Sequence, residues 1–294
     1  MATKKVIIIA GPTAVGKTAA AIEVAQHFGT EIISADSRQC YKEMNIGVAR
    51  PSEKELATIP HHFIASHSIQ DKIDAAFFEK YALQKAKELF EKHDTIVLTG
   101  GTGLYIKAFC EGMDAMPDIP EAVQSLVRNS YKEKGLSWLQ AEVKKNDPEF
   151  FAVAEQQNPQ RLMRALEVNL TTGESLLSLR KGKKAERFFD IEKMAIELPR
   201  EELYNRINLR VDEMMEKGLL DEVKMLQPYK QINALQTVGY KELIAYLEGD
   251  TFLEQAVEEI KKNTRHYAKR QFTWFKKDEA YQWFTPSNVK KRFG

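Results

Sequence analysis

Residues 5–18, KVIIIAGPTAVGKT, decide how the rest of the chain is read. KVIIIA (5–10) is a continuous β-branched apolar run, the pattern of a strand covered on both faces. Gly11, Pro12, Thr13, Ala14, Val15, Gly16, Lys17 and Thr18 then fit G-x-x-x-x-G-K-[ST] at every position. Residues 17–28 read as a helix ended by Gly29. A glycine-rich turn between strand and helix lets backbone amides point inward around an anion, and the helix N-terminus adds partial positive charge. Lys17 is expected to contact phosphate oxygens and Thr18 to offer its hydroxyl to Mg²⁺. ATP-binding and other nucleotide-binding proteins carry this loop. It specifies phosphate without specifying which phosphate.

Outward from the loop, EIISA (31–35) is a second short strand, closed by Asp36-Ser37. A further apolar patch lies around 62–65. Residues 75–90 are amphipathic, with Phe78, Ala82, Ala86 and Leu89 on one face. TIVLT (95–99) is another buried strand, running into Gly100-Gly101-Thr102-Gly103. Strands alternating with helices predict an α/β fold with a parallel sheet. The texture changes at DAMPDIP (114–120), a linker by its prolines, and no strand signal follows until about residue 193. KGKKAE (181–186) reads as a charged exit loop. Strand character returns at 193–198, followed by helices at 200–217, 240–248 and 253–275 and a short strand at 281–284. The expected organisation is a discontinuous core, 1–119 and 187–294, carrying a small all-helical insertion at 120–186.

With 294 residues, 43% of them hydrophobic and 29% charged, the chain can bury a sizeable core and is not of disordered composition. No apolar run approaches the roughly 18 residues of a membrane span, and no secretory leader pattern precedes the first strand. Cys40 and Cys110 are too few for a disulfide framework and lack zinc-ligand spacing. A reduced, cytoplasmic protein with no membrane partner is expected. Net charge is only +1, but residues 253–294 hold ten Lys and Arg against five Asp and Glu. Lys262, Arg265, Lys269 and Arg270 supply much of that excess, which suits either a polyanion or a solvated helix face.

A nucleotide-hydrolysing protein with this loop normally carries a carboxylate at the end of a later strand. Here 95–99 ends in Gly-Gly-Thr-Gly, and the free acidic group at a strand end is Asp36. Ligands of open α/β sheets collect at the carboxyl ends of strands, so Asp36 should face the loop. It reads as a Mg²⁺ ligand, a general base, or a turn cap with Ser37. Motor-type ATP hydrolysis is disfavoured.

GPTAVGKT (11–18), ISADSRQCY (33–41), PHH (60–62), GGTGLY (100–105), NPQRLMRALE (158–167), VGYKE (238–242) and YAKRQFTWF (267–275) occur in this order. Together they resemble the bacterial tRNA dimethylallyltransferase (tRNA isopentenyltransferase) family, which prenylates N6 of adenosine 37 beside the anticodon. The resemblance implies a P-loop nucleoside-triphosphatase-like core whose loop grips the pyrophosphate of dimethylallyl diphosphate, with no nucleotide hydrolysed. It implies Asp36 as the base on N6, and Lys17, Mg²⁺ at Thr18 and Arg210 on the leaving pyrophosphate. Arg206, one turn earlier, is the competing arginine and reads otherwise as a surface i,i+4 partner. The partner implied is the tRNA anticodon stem-loop, contacted by Asp36, Ser37, Arg38 and Gln39, by Thr102, and by Gln160, Arg161, Leu162, Met163 and Arg164. The target base must leave its stack to react. A monomer is expected.

The chain departs from the family pattern at Gln124, where many relatives have an arginine; Arg128 lies one turn further on. Arg38 stands where the family often has an apolar residue. Trp274 and Phe275 are expected to pack the last long helix on the sheet, Cys110 to be core, Cys40 to be a loop thiol, and His61, His62 and His67 to be hydrogen-bonded structural histidines. A P-loop nucleotide or small-metabolite kinase is the main alternative, and a non-enzymatic RNA-binding module with a vestigial loop is the second.

Overall fold

Short strands, the central β-branched ones being apolar runs cut by turn formers, pair edge to edge in one six-stranded sheet. The computed structural model describes residues 3–180 and 182–294. Residues 1 and 2, at the head of the expected core, and Lys181 of the expected exit loop lie outside the described residues. The chain divides into two compact units, one of Met1–Gly112 with Glu186–Gly294 and one of Met113–Ala185.

The first unit begins β1 (Lys5–Ala10), α1 (Lys17–His27), β2 (Ile32–Ser34), α2 (Glu53–Thr58), β3 (His61–His62), α3 (Ala75–Leu89), β4 (Thr95–Gly100) and α4 (Gly103–Glu111). The second unit is α5 (Glu121–Asn146), α6 (Pro148–Val153), α7 (Pro159–Thr172) and α8 (Leu176–Leu179). The chain returns to the first unit with β5 (Asp190–Ile196), α9 (Arg200–Glu216), α10 (Leu219–Leu226), α11 (Tyr240–Leu247), α12 (Leu253–Lys276), β6 (Tyr281–Phe284) and α13 (Pro286–Phe293).

All pairings between these strands are parallel, in the order β3-β2-β4-β1-β5-β6. Side chains alternate across β1: Val6 and Ile8 enter one apolar cluster, Ile7 and Ile9 the other. Helices cover both faces, which is why β1 reads as an uninterrupted apolar run. In α3 the face Phe78, Ala82, Ala86 and Leu89 is buried as its spacing predicts, and Asp74 caps the start by accepting from Phe77 N at 2.9 Å. Helices α2, α4, α10 and α13 go beyond the elements expected from sequence. The last had a signal in Thr285-Pro286, with Thr285 as cap and proline in the first turn.

The second unit packs on its own core of Val127, Leu139, Val143, Leu162 and Leu166. Asp147 is buried there: one oxygen accepts from Phe150 N (3.1 Å) and the other from Leu176 N (3.0 Å). A single carboxylate thus ties the starts of α6 and α8, satisfying amides that no helical carbonyl can reach.

Strand order does the positioning. Because β4 lies between β1 and β2, three carboxyl ends come side by side: the loop after Ala10, the Gly101–Thr102 turn after Gly100, and Asp36 after Ser34.

Candidate active site

The loop after β1 turns sharply against β5. Gly11 sits at φ +146°, and a Cβ there would lie 2.7 Å from the Ile196 carbonyl, so the turn requires glycine. The ammonium of Lys17, first residue of α1, donates to Pro12 O at 2.7 Å. Burial pulls its pKa down to about 8; Asp36 opposes that shift, and the charge of Arg210 adds to it. The Thr18 hydroxyl is half-exposed and makes no hydrogen bond among the described residues. On α9, Arg206 pairs with Glu202 at 2.8 Å, an i,i+4 surface pair. Arg210, one turn on, makes no ion pair among the described residues, and burial lowers its pKa from the ordinary arginine value. It is the less committed of the two cations.

Asp36 follows β2. Its Oδ1 accepts from Arg38 N (2.9 Å) and Gln39 N (3.2 Å), while Oδ2 has no hydrogen bond among the described residues. The turn-cap reading and the free-base reading are therefore compatible, one oxygen serving each. Thr102 stands beside it: its Oγ1 accepts from Ser37 N at 3.0 Å and donates to Ser37 Oγ at 3.2 Å. The two loops approach closely because Gly100 has no side chain; a Cβ there would lie 2.2 Å from Ala35 O. The phenol of Tyr267 lies in hydrogen-bond reach of Thr102, and burial together with Asp36 pushes its pKa up to about 12. Arg38 lies against Tyr41. The Gln39 amide is already engaged, donating to Val48 O (3.1 Å) and Ala49 O (2.9 Å).

Gln271 is a site residue that sequence reasoning missed. Buried on α12, it accepts from Thr13 N through Oε1 (2.8 Å) and donates from Nε2 to Gly101 O (2.8 Å). It is a strut between the phosphate-type loop and the turn bearing Thr102. The only signal available was its place within YAKRQFTWF, since no periodicity distinguishes a strut from a core polar residue.

In the helical unit, Gln160 and Arg161 are exposed and Arg164 is half-buried. Arg164 and Arg128 both act on Glu167, countering the rise that burial gives its carboxyl. Leu162 and Met163, expected among the tRNA contacts, are instead buried in the unit's core. On α7 these positions turn inward with Ala165 and Leu166, so their side chains offer no surface to a nucleic acid. Gln124 donates to Ile119 O at 2.8 Å and braces the entry to α5.

A glycine-turn anion cradle stands beside a carboxylate with one free oxygen, at the ends of a P-loop-type parallel sheet. A family model described as IPP transferase matches residues 39–278, the stretch that holds Thr102 and Gln271. The chain belongs to the IPP transferase family. The tRNA dimethylallyltransferase of Christiangramia forsetii is 50% identical over 278 residues, covering 95% of this chain and 92% of its own. A full-length tRNA isopentenylpyrophosphate transferase of Bacillus halodurans superposes with a TM-score of 0.72 at 32% identity, covering 99% of this chain and 94% of its own. A eukaryotic dimethylallyltransferase acting on tRNA gives 0.80 at 26% identity, covering 99% of this chain and 77% of its own. Membership of this family favours the prenyl-transfer reading over the kinase alternative.

Burial and hydrogen bonding meet some of the remaining expectations for this IPP transferase and correct others. Phe275 is core, but Trp274 is 42% exposed, its indole lying over Gly103. Cys40 lies in the turn after β2, as expected of a loop thiol, but it is fully buried; Cys110 is buried as expected, and burial pushes both thiols up to about 12. His62 meets Glu31 at 2.7 Å, while His61 bonds Ile59 O and His67 bonds Ser66 Oγ. No helix among the described residues is long and apolar enough to cross a membrane.

Proposed function

We propose that this protein transfers a dimethylallyl group from dimethylallyl diphosphate to N6 of adenosine 37 in the anticodon stem-loop of tRNA, releasing pyrophosphate. The observation that carries the reading is the neighbouring position of two groups of opposite chemical demand. An anion cradle with Lys17 and Arg210 suits the leaving group, and Asp36 Oδ2 is free for the nucleophile. Family membership supplies the substrate class.

The N6 amine is a weak nucleophile because its lone pair is delocalised into the ring. As the new C–N bond forms at the allylic carbon, the C–O bond to pyrophosphate breaks and N6 must lose a proton. Asp36 takes it, and the pinned Oδ1 fixes which oxygen does so. Negative charge grows on the departing pyrophosphate, where the loop amides, Lys17 and Arg210 are already oriented. The residues also fit Mg²⁺: the Thr18 hydroxyl is unengaged among the described residues, and an ion held this way draws its other ligands from phosphate and water. When bound, Mg²⁺ adds further neutralisation of the leaving group. Thr102, Ser37 and the exposed Arg161, with Arg164, are the tRNA contacts in this reading, which extends to a monomer acting in the cytoplasm.

The test is mass spectrometry of an anticodon stem-loop RNA with adenosines at positions 36 and 37, incubated with protein, Mg²⁺ and dimethylallyl diphosphate. One five-carbon unit gained on the adenosine, with ATP inert as a donor, is the expected result. Phosphoryl transfer from ATP with no RNA product would overturn the reading.

A further inference from the structure

The segment between β2 and α2 folds around a charge supplied from far along the chain. Glu222 of α10 is 6% exposed. Its Oε2 accepts from Asn45 N (3.0 Å) and Ile46 N (2.8 Å), and its Oε1 from Gly47 N (3.0 Å) and the Tyr240 hydroxyl (2.6 Å). Successive backbone amides turned on one anion form the nest that in other settings receives a ligand phosphate or carboxylate. Here the chain fills the nest itself. Burial and the adjacent carboxylate hold the Tyr240 phenol far above its ordinary pKa, so it stays an O–H donor. A Cβ on Gly47 would lie 2.6 Å from the Tyr240 ring, so the approach depends on glycine there.

The order continues from the nest toward the reacting carboxylate. Val48 O and Ala49 O accept from Gln39 Nε2, and Gln39 N donates to Asp36 Oδ1. Arg50 closes the same segment by donating to the carbonyls of Tyr41, Lys42 and Met44. A chain of hydrogen bonds and short backbone therefore runs from Glu222 to the pinned oxygen of Asp36.

We propose that Glu222 is a positioning residue for Asp36: its carboxylate sets the 45–50 segment, which holds Gln39, which fixes the orientation of the proton-accepting oxygen. The inference rests on the reading of Asp36 as the base. The three backbone amides of the nest can only donate, one to one oxygen and two to the other, so both positions need an acceptor. Glutamine has nearly the volume of glutamate but brings N–H groups against N–H groups, leaving buried amides without partners. With the Gln39 bond weakened, Asp36 Oδ1 is held by Arg38 N alone, and small misplacement of a catalytic group costs rate out of proportion to the displacement.

The experiment measures single-turnover prenylation of the anticodon stem-loop RNA, and pyrophosphate affinity by calorimetry. It compares the wild type with Glu222→Gln, Tyr240→Phe and Asp36→Asn. Asp36→Asn should be inactive. Glu222→Gln should slow the chemical step about tenfold or more, and Tyr240→Phe by a smaller factor, with pyrophosphate affinity unchanged. Glu222→Asp, which keeps the charge, should retain more of the wild-type rate than Glu222→Gln. If Glu222→Gln does not fold, Tyr240→Phe carries the test, since it deletes one hydroxyl. Wild-type rates in both variants beside an inactive Asp36→Asn would overturn the proposal. A parallel loss of rate and pyrophosphate affinity would also overturn it, reducing Glu222 to a prop of the fold. Full turnover by Asp36→Asn would instead overturn the reading of Asp36 itself.

Discussion

Lys17 carries its charge at a cost. Its pKa of about 8 lies below the ordinary 10.5 because burial penalises the ammonium. The sign follows from linkage. The fold prefers neutral lysine more than the unfolded chain does, so the penalty is full below about pH 8 and is relieved as pH rises toward 10.5. A bound diphosphate has the opposite preference and favours the ammonium. Pyrophosphate affinity should therefore be level below pH 8 and weaken above it, with proton uptake on binding. Calorimetry at pH 7 and 9 in two buffers of different ionisation enthalpy measures both. Lys17→Arg, whose charge does not titrate, should lose the part of this dependence that belongs to the protein; an identical profile in both proteins would remove Lys17 from the account. This residue was legible in the sequence, as was Asp36, because each belongs to a contiguous motif. The helical spacing set Leu162 and Leu166 opposite Arg161 and Arg164, but the burial of Met163 was not legible, since a run of motif letters does not tell how wide a side of the helix meets the core.

Helix α12 combines three tasks along one face: Tyr267 by Thr102, Gln271 between two loops, and Phe275 in the core. Its amphipathic pattern predicts burial of that face but not the hydrogen bonds made there, because their acceptor and donor lie more than 160 residues away. Gln271→Met keeps the length and loses both bonds, leaving Thr13 N and Gly101 O without this partner. A loss of about 2 kcal/mol in urea unfolding is expected, together with weaker pyrophosphate binding as Thr13 relaxes. Unchanged values for both would show that the strut is dispensable. Trp274 teaches the converse lesson. Its place beside Phe275 suggested packing on the sheet, yet a neighbour in sequence faces about 100° away around a helix.

Across the molecule, the two compact units carry different groups: the first has the glycine-rich loop and Asp36, the second has Arg161, exposed on α7, and the half-buried Arg164. If Arg161 and Arg164 track RNA phosphates, replacing both with alanine should weaken tRNA binding and flatten its dependence on salt by about 0.7 per lost contact on a single-stranded loop. Fluorescence titrations between low and moderate salt give that slope. An unaltered slope would return both arginines to the solvated surface. The sequence by itself determined the cradle, since its amides and ammonium come from consecutive residues whose geometry is set by local backbone rules. It also determined the alternation of strands and helices, and therefore the sheet. Only the tertiary structure decided which ends of that sheet meet. The insertion of β4 between β1 and β2 sets Asp36, Thr102 and Lys17 in one place, and long-range hydrogen bonds from Gln271 and Glu222 hold the loops around them. Those contacts depend on strand order and on packing between distant segments, which no local periodicity encodes.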